Sequence, residues 1–246
     1  MPHKHPKDPV PTILHIDDHL LVIDKPAGIV SVPGREKENC LPALLRSSRL
    51  VPPHEPFHTV HRLDRDASGT IVFARTPQAQ RALTEQFMNR TIDKVYLALV
   101  QGHVMADGEV NLPILTDPSG TRAEVTTVGG KPSRTLYRVI ERVAGNTLLE
   151  CRPLTGRMHQ IRVHMAAIGH PLSVDPLYGH TTGLMLSSLK TDYHPSTRHE
   201  ERPLIGRLSL HAARVTFIHP ANGEPVTFEA PLPKDFRTTL NQLRRL

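Results

Sequence analysis

The sequence contains no tryptophan, and aromatic residues make up only 4% of its 246 residues. Proteins that hold single-stranded nucleic acid on stacking platforms depend on such side chains. The composition therefore argues against that class of protein. If the partner is RNA, recognition has to come mainly from positive charge at the phosphates and from the shape of a pocket.

Cysteines and long apolar segments are also scarce. The two cysteines, Cys40 and Cys151, lack the spacing of a metal site and are expected to be free thiols in a reducing cytoplasm. No apolar run approaches the roughly 18 residues that span a bilayer. Residues 1–11, MPHKHPKDPVP, lack the apolar core of a secretory signal and are predicted to form a flexible tail. We expect a cytoplasmic protein without a membrane partner.

Local motifs that mark several enzyme classes are missing as well. The sequence has neither a P-loop nor a GxGxxG segment, so no nucleotide cofactor is expected, and it has no GxSxG elbow of a serine hydrolase. Its histidines include two groups, His54, His58 and His61 and, further along, His159, His164 and His170. Neither group includes a cysteine or a clearly paired carboxylate, and no metal site is predicted.

What the sequence does have is positive charge and a strand-rich pattern. The formal net charge of +6 favours a polyanionic partner. Alternating or β-branched apolar segments predict strands at 12–16, 20–23, 70–75, 94–100, 135–143, 147–152, 208–218 and 226–228. Helices are predicted after Thr76-Pro77 and from about Arg157 to Ile168, while 46–58 is predicted as a loop. Few helices and hairpin-linked strands favour an α+β fold around a largely antiparallel sheet.

The segment HRLDRDASG at 61–69 concentrates charge directly before an apolar strand. A solvated loop would explain it. Alternatively, Asp64 is a carboxylate nucleophile whose charged form an arginine favours. A retaining glycosidase would use such a carboxylate with a second carboxyl group about 5 Å away. The sequence singles out no second carboxyl group, so these alternatives stay open on the residues alone.

Taken together, four segments resemble the signature blocks of the RluA-type RNA pseudouridine synthases, in the order and at the spacing of that family. They are DKPAG at 24–28, HRLDRDASG at 61–69, KVYLALVQG at 94–102 and LTGRMHQIRVHMAAIGHPL at 154–172. The segment SVPGR at 31–35 further resembles the subgroup around RluA itself, which acts on large-subunit ribosomal RNA and on tRNA anticodon stem-loops.

The resemblance implies an isomerase that converts uridine to pseudouridine in RNA stem-loops. Asp64 matches the catalytic aspartate, Tyr96 the tyrosine that stacks on the flipped base and moves a proton, and Arg162 the basic partner of the aspartate. Arg62 matches the arginine that fills the space left by the flipped uridine. Arg157 and His159 are either phosphate contacts in substrate binding or structural residues of the helix N-terminus.

The resemblance also implies the architecture and the partners. We expect a single catalytic domain over 12–246, with a large mixed, mainly antiparallel curved sheet, a few flanking helices and a central cleft. Residues 180–206 are predicted to be a surface insertion. The expected partner is RNA rather than DNA, with no cofactor and a monomeric state. The alternatives are a non-catalytic RNA-binding module and a carboxylate-dependent nucleoside or glycosidic hydrolase.

Overall fold

A computed structural model describes residues 10–32, 40–52, 55–190, 193 and 200–246. Residues 1–9 of the predicted tail, 33–35 of the SVPGR segment, His54, and 191–192 and 194–199 of the predicted insertion lie outside the described residues. The helices are α1 (Leu41–Ser47), α2 (Pro77–Met88), α3 (Gln160–Ala167) and α4 (Lys234–Leu243). The strands are β1 (Thr12–Ile16), β2 (Leu20–Lys25), β3 (His58–Thr59), β4 (Ser68–Ala74), β5 (Asp93–Gln101), β6 (Gly108–Asn111), β7 (Ile114–Thr116), β8 (Ala123–Val125), β9 (Arg134–Val143), β10 (Asn146–Pro153), β11 (Leu210–Ile218) and β12 (Pro225–Glu229).

Ten of these strands form one sheet. Its order is β1-β2-β4-β11-β5-β10-β9-β6, with β12 added to β11 and β3 added to β4, while β7 and β8 form a separate hairpin. Among the described strands, every pairing is antiparallel except the one between β4 and β11. The α+β fold with a mixed, mainly antiparallel sheet is therefore confirmed.

The alternating pattern of β5 places its side chains on the two faces of the sheet, as the sequence predicts. Ala98 and Val100 pack with Tyr96 in one cluster, against the α3 residues Ile161 and Met165. Leu97 and Leu99 belong to another cluster, which contains Phe236 and Leu240 of α4. The central strand is thus covered on both faces.

The parallel pairing of β4 with β11 brings the segment after Asp64 close to β5. Gly69 lies opposite Ala212, which on its other side lies opposite Tyr96. Gly69 has a φ of +115°, and an added Cβ would collide with the Ala212 carbonyl. The glycine in HRLDRDASG therefore permits the close approach of two backbones that sets the loop beside the central strand.

The predicted boundaries agree with the structure in most places. Helix α2 starts as predicted, because the Thr76 side chain accepts a hydrogen bond from the Ala79 amide at 3.1 Å. The predicted loop at 46–58 is wrong at both ends, since α1 runs to Ser47 and β3 begins at His58. Helix α1 has only seven residues, too few to show helical periodicity in the sequence.

The described part of 180–206 packs against the rest of the molecule through three apolar residues, Leu184, Leu189 and Ile205. Ile205 is buried and its carbonyl accepts the Leu184 amide at 3.0 Å, while the Leu184 carbonyl accepts the Leu204 amide at 2.8 Å. Leu184 and Leu189 pack against the cluster that contains Phe236 and Leu240. The division of the chain into a tail, one catalytic domain and an insertion stays a prediction.

Candidate active site

A cleft of about 490 Å³ lies beside β5, within the size range of small-molecule sites. Its walls are the loop before β4, the C-terminal half of α2, the start of β5 and the segment 153–162. Asp64 is the only carboxylate among the described residues that line the cleft. Five lining residues carry arginine or lysine side chains, namely Arg62, Arg90, Lys94, Arg157 and Arg162. The cleft is therefore suited to an anionic ligand.

The DKPAG segment fixes the backbone of the loop that carries Asp64. The buried Lys25 ammonium donates to three carbonyls, those of Pro26 at 3.0 Å, Ile29 at 2.9 Å and Arg65 at 2.9 Å. The Gly28 amide donates to the same Arg65 carbonyl at 2.9 Å. Burial lowers the pKa of Lys25 to about 7, although the nearby Asp66 and Asp64 charges oppose the shift. Lys25 thus supports the turn that precedes the Asp64 loop.

His61 anchors the beginning of the same loop to β4. Its Nε2 accepts the Val72 amide at 2.9 Å, so Nε2 carries no proton. The imidazole stacks on Phe87 of α2, with ring centroids 4.7 Å apart. Burial lowers the pKa of His61 to about 3, and the positive charge of Lys94 adds to this effect. His61 is therefore neutral at physiological pH.

Arg162 projects from α3 toward Asp64, as the sequence predicts for this pair. Its Nη1 donates to Asp64 Oδ2 at 3.2 Å, and the Asp64 side chain is 26% exposed. Burial alone would lower the pKa of Arg162, but the hydrogen bonds and charges of Asp175 and Asp64 outweigh it and raise that pKa. The guanidinium therefore provides a permanent positive charge next to the carboxylate.

Asp175 binds the Arg162 guanidinium through nitrogens other than the one that contacts Asp64. It was not predicted as a site residue. Its two carboxylate oxygens accept from Arg162 Nε at 2.8 Å and Nη2 at 2.9 Å, a bidentate pair. The Asp175 side chain is fully buried and also accepts the amides of Leu177 and Tyr178. The sequence signal was present, because Asp175 follows the GHPL end of the fourth motif by only three residues.

Tyr178 and His159 complete the surroundings of Arg162. The guanidinium carbon of Arg162 lies 5.0 Å from the centroid of the Tyr178 ring. The Tyr178 hydroxyl lies 2.9 Å from His159 Nδ1 and accepts the Ala123 amide at 2.9 Å. Burial lowers the pKa of His159, although the Asp64 charge opposes the shift. His159 also precedes α3 in a left-handed conformation, with a φ of 52°.

Tyr96 lies on β5 at the floor of the cleft and is partly buried. Burial raises the pKa of its phenol above the usual range, and the negative charge of Asp64 adds to the effect. Its hydroxyl makes no hydrogen bond to any of the described residues, so it is available to a ligand in the cleft.

The two other predicted substrate contacts also line the cleft. Arg62 is exposed and has no hydrogen-bond partner within the described chain segments. Arg157 is partly buried, and its Nε is buried without a partner among the described atoms. The structure thus brings together all six predicted site residues: Asp64, Tyr96, Arg162, Arg62, Arg157 and His159.

Neither histidine group forms a cluster suited to metal binding within the described ranges. His164 contacts the Thr135 hydroxyl and the Leu112 carbonyl, and His170 contacts the Gln101 carbonyl. These contacts are those of structural histidines, of which His164 is buried and His170 is partly buried. None of the described helices is both long enough and apolar enough to cross a membrane.

Comparison with known proteins agrees with the resemblance that the sequence motifs indicate. The family described as RNA pseudouridylate synthase matches residues 19–167. Ribosomal large subunit pseudouridine synthase D of Nitrosomonas europaea is 40% identical over 245 residues, covering 98% of this chain and 68% of the relative. Dual-specificity RNA pseudouridine synthase RluA of Escherichia coli is 41% identical over 229 residues, covering 92% and 95%. The structure of human RNA pseudouridylate synthase domain containing 4 aligns with a TM-score of 0.73 at 27% identity, covering 94% of this chain and 92% of that one.

Proposed function

The chain belongs to the RNA pseudouridylate synthase family, in its RluA-type branch, and is an RNA pseudouridine synthase; from this premise we propose that Asp64 is its nucleophile. The observation that carries the proposal is the Asp64–Arg162 pair in a cleft whose other described charged residues are cations. Because both oxygens of Asp175 are bound to Arg162 and buried, Asp175 is a poor second catalytic carboxylate. This favours an isomerase over a glycosidase with two carboxylates.

The proposed reaction needs no redox partner. The Asp64 carboxylate attacks the ribose or the uracil ring, and the bond between N1 and C1′ breaks. The base then turns and forms a new bond between C5 and C1′, while Asp64 is released. The hydrogen on C5 leaves as a proton and N1 gains a proton, so substrate and product have the same composition. No cofactor is proposed.

Arg62 and Tyr96 are assigned to the flipped nucleotide. Arg62 is exposed at the cleft and unbonded among the described residues, so its side chain can enter the space that the uridine leaves in the stack. Tyr96 lies where a base can stack, and its raised pKa keeps the phenol protonated. We therefore assign Tyr96 both a stacking contact and a proton-transfer step. Arg157 and His159 are assigned to substrate contacts on the wall formed by 153–162.

The proposed target is a uridine in a compact stem-loop of large-subunit ribosomal RNA, of a tRNA anticodon arm, or of both. The relatives named above carry "ribosomal large subunit" and "dual-specificity" in their names, at nearly equal identity. Pseudouridine mapping of total RNA, with and without the gene, identifies the target. Loss of one or two hairpin-loop sites supports the proposal, whereas loss of sites in long regular duplexes contradicts it.

The nucleophile is tested by Asp64→Asn. This variant keeps the shape of the side chain but is not a nucleophile, so turnover is expected to vanish while folding and RNA affinity are retained. Tritium release from RNA labelled at uracil C5 measures turnover, and filter binding measures affinity. Residual turnover within about tenfold of the parent protein would refute the assignment. Free uracil as the product would indicate a hydrolase, and binding without any product a non-catalytic module.

A further inference from the structure

Lys94 is a cation in the cleft that the proposed chemistry does not use. It lies on β5 two residues before Tyr96, so both side chains point to the same face of the strand, about 7 Å apart. Its side chain is partly buried and lines the cleft on the side of His61, whose pKa it helps to lower. Lys94 therefore lies in the cleft beside Tyr96, on which the flipped base is proposed to stack.

The Lys94 ammonium has too few partners for its position. An ammonium carries three donors, but its single hydrogen bond within the described structure goes to the Thr155 carbonyl at the long distance of 3.4 Å. It forms no ion pair with any described residue. Burial lowers the pKa of Lys94 to about 8, against the opposing charge of Asp93. A buried charge that lacks hydrogen-bond partners and a counter-ion is unfavourable, and a bound anion would stabilise it.

Arg157 is a second cation that lines the cleft, on the wall formed by 153–162. It follows the Thr155 carbonyl by two residues, and its buried Nε lacks a partner among the described atoms. Between them, Gly156 is exposed, and no atom lies within 4 Å of the position that a Cβ would occupy. Lys94, at the Thr155 carbonyl, and Arg157 thus lie on either side of the exposed Gly156. Both side chains have nitrogen donors without a partner among the described residues.

We propose that Lys94 and Arg157 form an anion subsite that holds a phosphodiester group of the RNA strand next to the flipped uridine. This inference rests on the proposed function of the cleft. A nucleotide carries a phosphate on each side of its ribose, and a phosphate offers the negative charge that two neighbouring cations lack. Lysine supplies a point charge and arginine a planar set of donors, a combination that suits phosphate oxygens.

The first test measures RNA affinity against salt, in the Asp64→Asn background so that binding is separated from turnover. Lys94→Met is expected to weaken binding about tenfold, the loss of one charge-assisted hydrogen bond, and to reduce the slope of log affinity against log salt by about 0.7 to 1. Lys94→Arg should restore most of the affinity and the slope. The control is Lys234→Met, which removes an exposed lysine outside the cleft. An unchanged slope in Lys94→Met, or an equal loss in Lys234→Met, overturns the proposal.

The second test changes the RNA instead of the protein. Affinity is measured first for the protein without a substitution at Lys94 and then for Lys94→Met. A neutral methylphosphonate is placed singly at each linkage around the target uridine. One adjacent linkage should cost the protein about tenfold in affinity, and Lys94→Met should show no further loss at that linkage. Additive losses at every linkage would overturn the phosphate assignment. A failure of the proposed function is distinct, because the unsubstituted protein would then form no pseudouridine in the same RNA.

Discussion

At the scale of single residues, Tyr96 combines two properties in one side chain. Its ring lies on a central strand next to Ala212, where packing holds it, and its hydroxyl faces the cleft without a partner among the described residues. Burial and the Asp64 charge raise its pKa, so the phenol keeps its proton throughout the physiological pH range. A stacking contact needs only the ring, whereas proton transfer needs the hydroxyl.

Replacing Tyr96 by Phe separates these contributions. We expect turnover to fall about 100-fold or more, as for loss of a general acid or base, while RNA affinity stays close to that of the parent protein. Stability should change little, since the hydroxyl makes no hydrogen bond to the described residues. Single-turnover rates and thermal unfolding measure the two effects. A fully active Tyr96→Phe protein would leave Tyr96 with stacking alone.

At the scale of elements, α3 and the turn at 173–178 act as one support for Asp64. Arg162 lies on the helix, and Asp175 in the turn accepts hydrogen bonds from two of its nitrogens, while Asp175 Oδ1 also accepts the amides of Leu177 and Tyr178. The buried Gln160 ties the start of α3 to the neighbouring strand, because its amide donates to the Arg134 carbonyl and the Thr135 hydroxyl at 2.9 Å. The position of Arg162 is thus set by contacts from several elements.

Asp175→Asn tests this support. The substitution removes one charge from a buried pair, and we expect it to lower the free energy of unfolding by about 2–4 kcal/mol. Turnover should fall as well, because Arg162 loses the contact that orients it toward Asp64, while RNA affinity changes less. Urea unfolding and single-turnover kinetics give the two values.

A matched control exists in the pair of Arg207 and Asp235. That pair has the same bidentate geometry, at 2.8 and 2.9 Å, but the Asp235 side chain is 41% exposed and outside the cleft. Asp235→Asn should cost less stability and leave turnover unchanged. Equal losses of turnover in the two variants would show that Asp175 acts on overall stability alone.

At the scale of the whole molecule, histidines with lowered pKa values make stability depend on pH. Burial lowers the pKa of His61 to about 3 and of His211 to about 4 from an ordinary value of 6.5. At a pH between the lowered pKa of each histidine and 6.5, the unfolded chain binds protons that the folded protein does not. The free energy of unfolding therefore rises with pH over this range. The stability contributed by the two histidines is therefore lost as the pH falls from about 6.5 toward about 4 for His211 and about 3 for His61.

We expect the free energy of unfolding to be about 2–4 kcal/mol lower at pH 5 than at pH 7. Urea unfolding at several pH values between 7 and 5 measures it. His61→Gln retains an acceptor for the Val72 amide but does not titrate, so its decrease should be smaller. A free energy of unfolding that stays constant over this range would contradict the neutral state of both histidines in the folded protein.

Local patterns determined much of the fold. Alternating apolar residues indicated most strands of the large sheet, and Thr76-Pro77 marked the start of α2, because burial and capping act between neighbours in sequence. The strands β6 to β8 and helix α4 were not predicted. In α4 the buried Phe236, Leu240 and Leu243 do follow helical spacing, so that signal was present and missed.

The sequence by itself determined which residues are candidates, since the motif blocks singled out Asp64, Tyr96 and Arg162. Only the tertiary structure decided how they are held. Asp175 meets Arg162 because the chain turns back after α3, and Ser68 lies beside His211, 143 residues away, because β4 pairs with β11 in parallel. Charge and periodicity are properties of short segments, whereas the choice of partner for an arginine or a strand depends on the path of the whole chain.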